Sequence, residues 1–162
     1  MKVIIDYIID WKTVVQDKKV LRNSEIDFAL IHEKLSFSNF LDAFGNSKVI
    51  IWDPIQAENS KLIKGSVMSF CYNISEAFKG LKKGDKKEFH VFGTESDEYF
   101  LKLQLSGPYI SIFTGEKKLR YDIDSFSIAL CDFIEKLVYE LPLYYDGIEL
   151  CKYFTKFKRD LR

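Results

Sequence analysis

Histidine is the scarcest chemically useful residue in this chain: only His32 and His90 are present. Glu33 follows His32, but no second histidine lies four residues on, so the helical zinc-protease motif is absent. His90 stands between Phe89 and Val91 and reads as a polar residue on the outer side of a strand. Cysteine is equally sparse. Cys71, Cys131 and Cys151 are odd in number and far apart, with no CxxC pair, which excludes zinc ribbons and redox motifs. Each lies among apolar residues, so all three are expected as buried, reduced thiols behaving as small hydrophobes, in keeping with a reducing cytosol.

Glycine is also thin: the eight residues stand singly, so no phosphate-cradling loop can form. Gly65-Ser66 lacks the second glycine of a nucleophile elbow. Long apolar runs are missing, and Asp6 and Asp10 interrupt the N-terminal apolar stretch that a signal peptide would need. No membrane span, cofactor or metal site is expected, and the expected compartment is the cytoplasm.

What the chain has is aromatic residues and balanced charge. Of its 162 residues 15% are aromatic, including 14 Phe and 9 Tyr, enough to fill one sizeable core or to anchor an interface. The 24 basic and 24 acidic residues cancel, so no global field draws the chain towards nucleic acid or an anionic membrane. The charges are nevertheless segregated. From Leu119 to Glu149 only Arg120 and Lys136 oppose seven acids, whereas from Lys152 to Arg162 five cations oppose Asp160 alone.

Periodicity gives the outline. Residues 3 to 15 fit a helical stripe, but their density of Val, Ile, Tyr and Trp favours a strand. Residues 26 to 32 read as a second short strand. Ser36 to Phe44 read as a short helix, residues 49 to 52 as a strand, residues 55 to 65 as a surface loop, and Phe70 to Lys83 as a helix stopped by Gly84. Residues 86 to 124 alternate apolar and polar between tight turns at Gly93–Asp97, Ser106–Pro108 and Gly115–Lys118, which predicts a four-stranded antiparallel meander. A helix capped by Asp124 or Ser125 follows, with Phe126, Leu130, Phe133, Leu137 and Leu141 on one face and a stop at Pro142. A last helix begins near Asp146 and buries Leu150, Phe154, Phe157 and Leu161. The expected fold class is α+β: one domain over residues 1–162, its meander packed against several helices, two of them C-terminal.

Four groups of charged residues could carry function. Glu95, Asp97 and Glu98 share a turn, and Asp122 and Asp124 share one face of a strand; such pairs can bind Mg²⁺ or do acid–base work, although a solvated turn and a helix cap account for them equally. Lys79, Lys82, Lys83, Lys86 and Lys87 form a basic run near aromatic residues, readable as a nucleic-acid surface but also as a solvated helix end. The basic C-terminal tail has the same two readings.

The meander Tyr99–Leu105, Tyr109–Phe113 and Leu119–Asp124, followed by the amphipathic helix Ser125–Leu141, resembles the small immunity proteins of bacterial contact-dependent growth inhibition and related polymorphic toxin systems. The resemblance covers about half of the chain. It departs from the family in net charge, since many such proteins are acidic. What it implies is a cytoplasmic, non-catalytic protein that neutralises a cognate toxin by stoichiometric binding. The partner would be a basic toxin such as a nuclease, met by Glu95, Asp97, Glu98, Asp122, Asp124 and Asp132. The readings left open beside it are a small nucleic-acid-associated module, a carboxylate-based enzyme and a structural subunit of a larger assembly.

Overall fold

Val3, Ile5, Tyr7 and Ile9 are buried while Ile8 between them is open to solvent, and this period of two makes Ile4–Ile9 a strand, β1. The structure, a computed structural model, describes residues 3–16, 19–44, 46–56, 58, 60–92, 100–115 and 117–162. A two-stranded ribbon follows β1, formed by Thr13–Gln16 (β2) and Lys19–Arg22 (β3). Residues 26 to 32 then depart from expectation. They form a turn and a short 3-10 helix, Ile31–Glu33, because the Asp27 carboxylate accepts the Ala29 N–H at 3.1 Å and bends the chain. Phe28 and Ile31 reach the core at a spacing of three instead.

Helix α1 (Phe37–Asp42) leads into Ser47–Trp52 (β4), which pairs antiparallel with β1. The segment expected as a loop contributes an edge strand, Lys61–Lys64 (β5), completing a three-stranded sheet in the order β1-β4-β5. Only Ile63 of β5 is buried, and the flanking lysines, common on edge strands, hid it in the sequence.

Helix α2 (Val67–Lys83) starts three residues earlier than its apolar period suggests and ends at Gly84, whose φ of 77° is the left-handed stop expected there. The meander is Glu88–Phe92 (β6), Phe100–Ser106 (β7), Tyr109–Thr114 (β8) and Lys117–Asp122 (β9), all antiparallel in sequence order. Its inner face carries Val91, Leu101, Leu103, Ile110, Ile112, Leu119 and Tyr121, all buried. Phe89 lies so close over Gly80 of α2 that a Cβ there would stand 2.3 Å from the ring tip, so the glycine lets β6 approach the helix.

Helix α3 (Ile123–Tyr144) buries Phe126, Leu130, Phe133, Leu137 and Leu141, as its period requires. Pro142 does not stop it. The ring removes one hydrogen bond in the last turn, but its fixed φ is helical, and the Tyr145 N–H still reaches the Leu141 carbonyl at 2.9 Å. Both long helices bridge the two larger sheets: α2 packs on β4, β6 and β7, and α3 on β1, β8 and β9. The chain closes with a 3-10 turn, Ile148–Leu150, and helix α4 (Lys152–Asp160). Phe154, Phe157 and Leu161 are buried as expected, but Leu150 is 75% exposed, because the 3-10 turn breaks the helical period and hands the core position to Ile148. The fold is α+β, with the meander against helices and two helices at the C-terminus. No helix among the described residues is long and apolar enough to cross a membrane.

Candidate functional site

Helix α3 has a second face. Its core stripe runs through Phe126, Leu130, Phe133, Leu137 and Leu141, which leaves Asp124, Ile128, Asp132, Glu135, Tyr139 and Leu143 on the solvent side at steps of three and four. Ile128, Tyr139 and Leu143 are 63%, 71% and 62% exposed, and Asp124, Asp132 and Glu135 are exposed between them. The stripe is about 28 Å long at 1.5 Å per residue. Scattered single apolar residues on a surface need no explanation, but Tyr139 and Leu143 are neighbours one turn apart, and Ile128 lies on the same face three turns before Tyr139.

Beside the N-terminal half of this stripe lies a groove of about 490 Å³, walled by Ile4, Ile5, Ile55, Ile128 and Ala129, with Asp132 at its rim. Beyond the groove, towards the C-terminal end of the helix, α3 meets β1 through polar ties. The Lys136 ammonium meets Asp6 at 2.7 Å and stands 4.8 Å over the Tyr7 ring. The Tyr7 hydroxyl donates to the Glu140 carboxylate, and burial, reinforced by that carboxylate, pushes the phenol pKa up. Lys136 and Glu140 thus tie α3 to β1, although Lys136 is itself exposed, and the acids Asp124, Asp132 and Glu135 face solvent along the helix beside it.

The six acids singled out in the sequence fare differently. Glu95, Asp97 and Glu98, with the turn Gly93–Asp97, lie outside the described residues. Asp122 closes β9 and caps α3: its Oδ1 accepts the Ser125 N–H at 2.8 Å, and that backbone bond holds the carboxyl below the usual range. Asp124 does not share a strand face with Asp122. The helix begins at Ile123, two residues earlier than expected, and its cap is Asp122 instead of Asp124 or Ser125, so Asp124 falls in its first turn, favourably placed against the helix dipole. Asp124 and Asp132 sit two turns apart on the solvent stripe. The apolar members Ile128, Tyr139 and Leu143 escaped notice, although they lie at helical spacing opposite the core positions.

Cys71 and Cys151 are buried and free, and burial pushes the Cys71 thiol pKa up. Cys131 departs from expectation: it is exposed on α3, because a helix lining one core must turn some of its residues to solvent. His90 is exposed, its ring stacked 5.6 Å from that of Phe100, and His32 packs edge-on near Tyr153. Among the described residues no group of three or more His, Cys, Asp or Glu is placed to hold a metal ion.

A wider, open groove of about 1030 Å³ runs between α2, β6 and the end of α4, lined by Tyr72, Lys79, Lys83, His90 and Asp160. Asp160 is its hub. Lys156 Nζ donates to it at 2.6 Å, the Tyr72 hydroxyl at 2.9 Å and Arg159 Nε at 3.3 Å, while Lys79 Nζ donates to its backbone carbonyl. The Lys156 bond, then the Tyr72 bond, brings the Asp160 pKa down to about 2. Of the lysine run, Lys79, Lys82 and Lys83 lie in the last turns of α2 and Lys86 and Lys87 beyond its end, with Lys82 over the Phe78 ring at 5.5 Å and Lys86 over Phe89 at 5.6 Å. Because Asp160 titrates below its unfolded value of about 4, its contribution to stability is present above pH 4 and lost as pH falls through 2. Urea midpoints taken at pH 5, 3 and 2 are expected to fall less steeply in Asp160→Asn than in the wild type; parallel slopes would discount the tie between α2 and α4.

No family model matches the chain, and neither the curated proteins nor the solved structures contain a match.

Proposed function

We propose that this chain is a non-catalytic protein-binding module that acts in the cytoplasm. In line with its resemblance to polymorphic-toxin immunity proteins, its partner is a basic toxin neutralised by one-to-one binding. One observation carries this reading: the solvent face of α3 combines large apolar side chains with acids and borders an apolar groove. Interfaces draw most of their energy from a few apolar or aromatic anchors, and complementary charge raises the rate of encounter. Tyr139, Ile128 and Leu143 are the anchors here, and Asp124, Asp132 and Glu135 supply the field. Asp122 is a poor choice for a contact, since its carboxylate is engaged in capping.

The test begins with capture of the tagged chain from its native cell, followed by co-expression with what it captures. A single stoichiometric protein, toxic alone and silent beside this chain, supports the reading; a capture without such a protein sinks it. Against that partner, Asp132→Lys with Glu135→Lys is expected to slow association roughly tenfold or more at low salt and little at high salt. Tyr139→Ala is expected to raise the Kd roughly thirtyfold, the effect of a hot spot. Wild-type kinetics in both variants would move the interface off α3.

A further inference from the structure

The outward face of the meander is not the plain polar surface that alternation predicts. Register sets one row straight across all four strands, His90–Lys102–Phe113–Lys118, so that ring and cation alternate. The next row is Glu88–Gln104–Ser111–Arg120, and the row beyond it contains Tyr109 and Asp122. Phe100, half exposed, adds its ring beside His90. Cations lie over the rings: Lys102 stands 4.3 Å and Lys118 5.3 Å from the Phe113 centroid, and Arg120 stands 4.0 Å from that of Tyr109. Among the described residues of this face the acids are Asp122, which caps α3, and Glu88, 3.9 Å from Lys102.

We infer that this face binds single-stranded nucleic acid, with bases stacked on Phe113 and Tyr109 and phosphates held by Lys102, Lys118 and Arg120. The energetics favour the exchange. An exposed cation–π pair contributes about 0.5–1 kcal/mol, whereas a base stacked on an aromatic side chain contributes about 1–3 kcal/mol. A base can therefore displace a lysine from its ring, and the displaced ammonium meets the phosphate that arrives with the base. Tyr109 and Phe113 lie four residues apart on one strand, about 13 Å, which leaves room for about two or three bases on an open sheet. The carboxylates of an acidic polypeptide would satisfy the cations but have no flat ring to set on the aromatic faces, whereas a nucleotide brings a base with each phosphate. This surface is distinct from the α3 stripe and stands whether or not a toxin binds there.

The experiment is fluorescence anisotropy of the full chain with labelled U12 RNA and dT12 DNA at 50 and 200 mM salt. Saturable binding to either is expected, with a log–log salt slope near −2, from about −0.7 per phosphate neutralised by three cations. Phe113→Leu with Tyr109→Leu is expected to weaken binding roughly tenfold or more at unchanged circular dichroism. Phe113→Trp, which removes no packing, tightens it and serves if the leucine pair fails to fold. Lys102→Gln with Lys118→Gln flattens the salt slope. The inference is overturned if no binding occurs below about 100 µM at 50 mM salt. It is also overturned if the ring variants bind as the wild type does, or if polyglutamate displaces the probe as well as unlabelled oligonucleotide does, which would mark the face as a site for an acidic protein.

Discussion

Phe133→Ala is expected to remove about 3–5 kcal/mol of folding stability, against a total of about 5–15 kcal/mol for a domain of this kind. The ring is 1% exposed and joins three elements that are remote in sequence. It meets Tyr7 of β1 edge-on at 5.6 Å and Phe70 of α2 at 6.0 Å and 85°. Edge-to-face pairs add about 0.5–1.5 kcal/mol each beyond the area they bury. Removing the ring leaves a cavity whose walls belong to a strand and two helices held by other contacts, so it cannot collapse fully. Phe133→Leu, which keeps most of the volume, should lose no more than about 1.5 kcal/mol. Urea denaturation of both variants checks the pair. If alanine costs less than about 1.5 kcal/mol, the cavity closes and β1 is not held by this ring.

The same position explains why so much of the fold could be read in advance. Phe133 belongs to a helical stripe, and the meander strands alternate with turns that demand glycine: Gly107 and Gly115 sit at φ of 58° and 60°. Such signals are local. What failed was local only in appearance. Asp27 bends a segment that β-propensity alone makes a strand, because a side-chain acceptor two residues upstream outweighs it. Leu150 is apolar and one turn before Phe154, yet a 3-10 turn removes it from the core. Strand β5 has one buried residue in four and becomes a strand only by pairing with β4.

Function was less legible for a related reason. The acidic stretch from Leu119 to Glu149 reads as one feature in the sequence, and the fold divides it four ways. Arg120 goes to the outer face of the meander, Asp122 into a cap, Lys136 and Glu140 onto β1, and Asp124, Asp132 and Glu135 to solvent. A net charge of zero therefore hides one helix face that is acidic and one sheet face that is basic and aromatic. The row His90–Lys102–Phe113–Lys118 could not be seen at all, since register belongs to pairs of strands and no single strand encodes it.

Two helix caps of the same type should differ severalfold in what their loss costs. Ser36 caps α1 and Ser66 caps α2, each accepting the N–H three residues on, at 3.1 and 3.2 Å. Ser36 is exposed, so water replaces its hydroxyl, and Ser36→Ala should cost about 0.5–1 kcal/mol. Ser66 is fully buried, and its hydroxyl also donates to the Leu41 carbonyl at the end of α1. Alanine there leaves both a donor and an acceptor without a partner where water does not reach, and an unsatisfied buried group costs about 1–3 kcal/mol. Ser66→Ala is therefore expected to cost about 2–3 kcal/mol, several times the loss at Ser36. Nearby, the Ser47 hydroxyl accepts the Val67 N–H at 2.8 Å, so the start of α2 is tied to β4 as well as to α1. That second tie limits fraying in the Ser66 variant, and the loss should appear as a lower urea midpoint with an unchanged slope. Equal costs at Ser36 and Ser66 would mean that water enters the junction between α1 and α2, and burial would then add nothing to the cap.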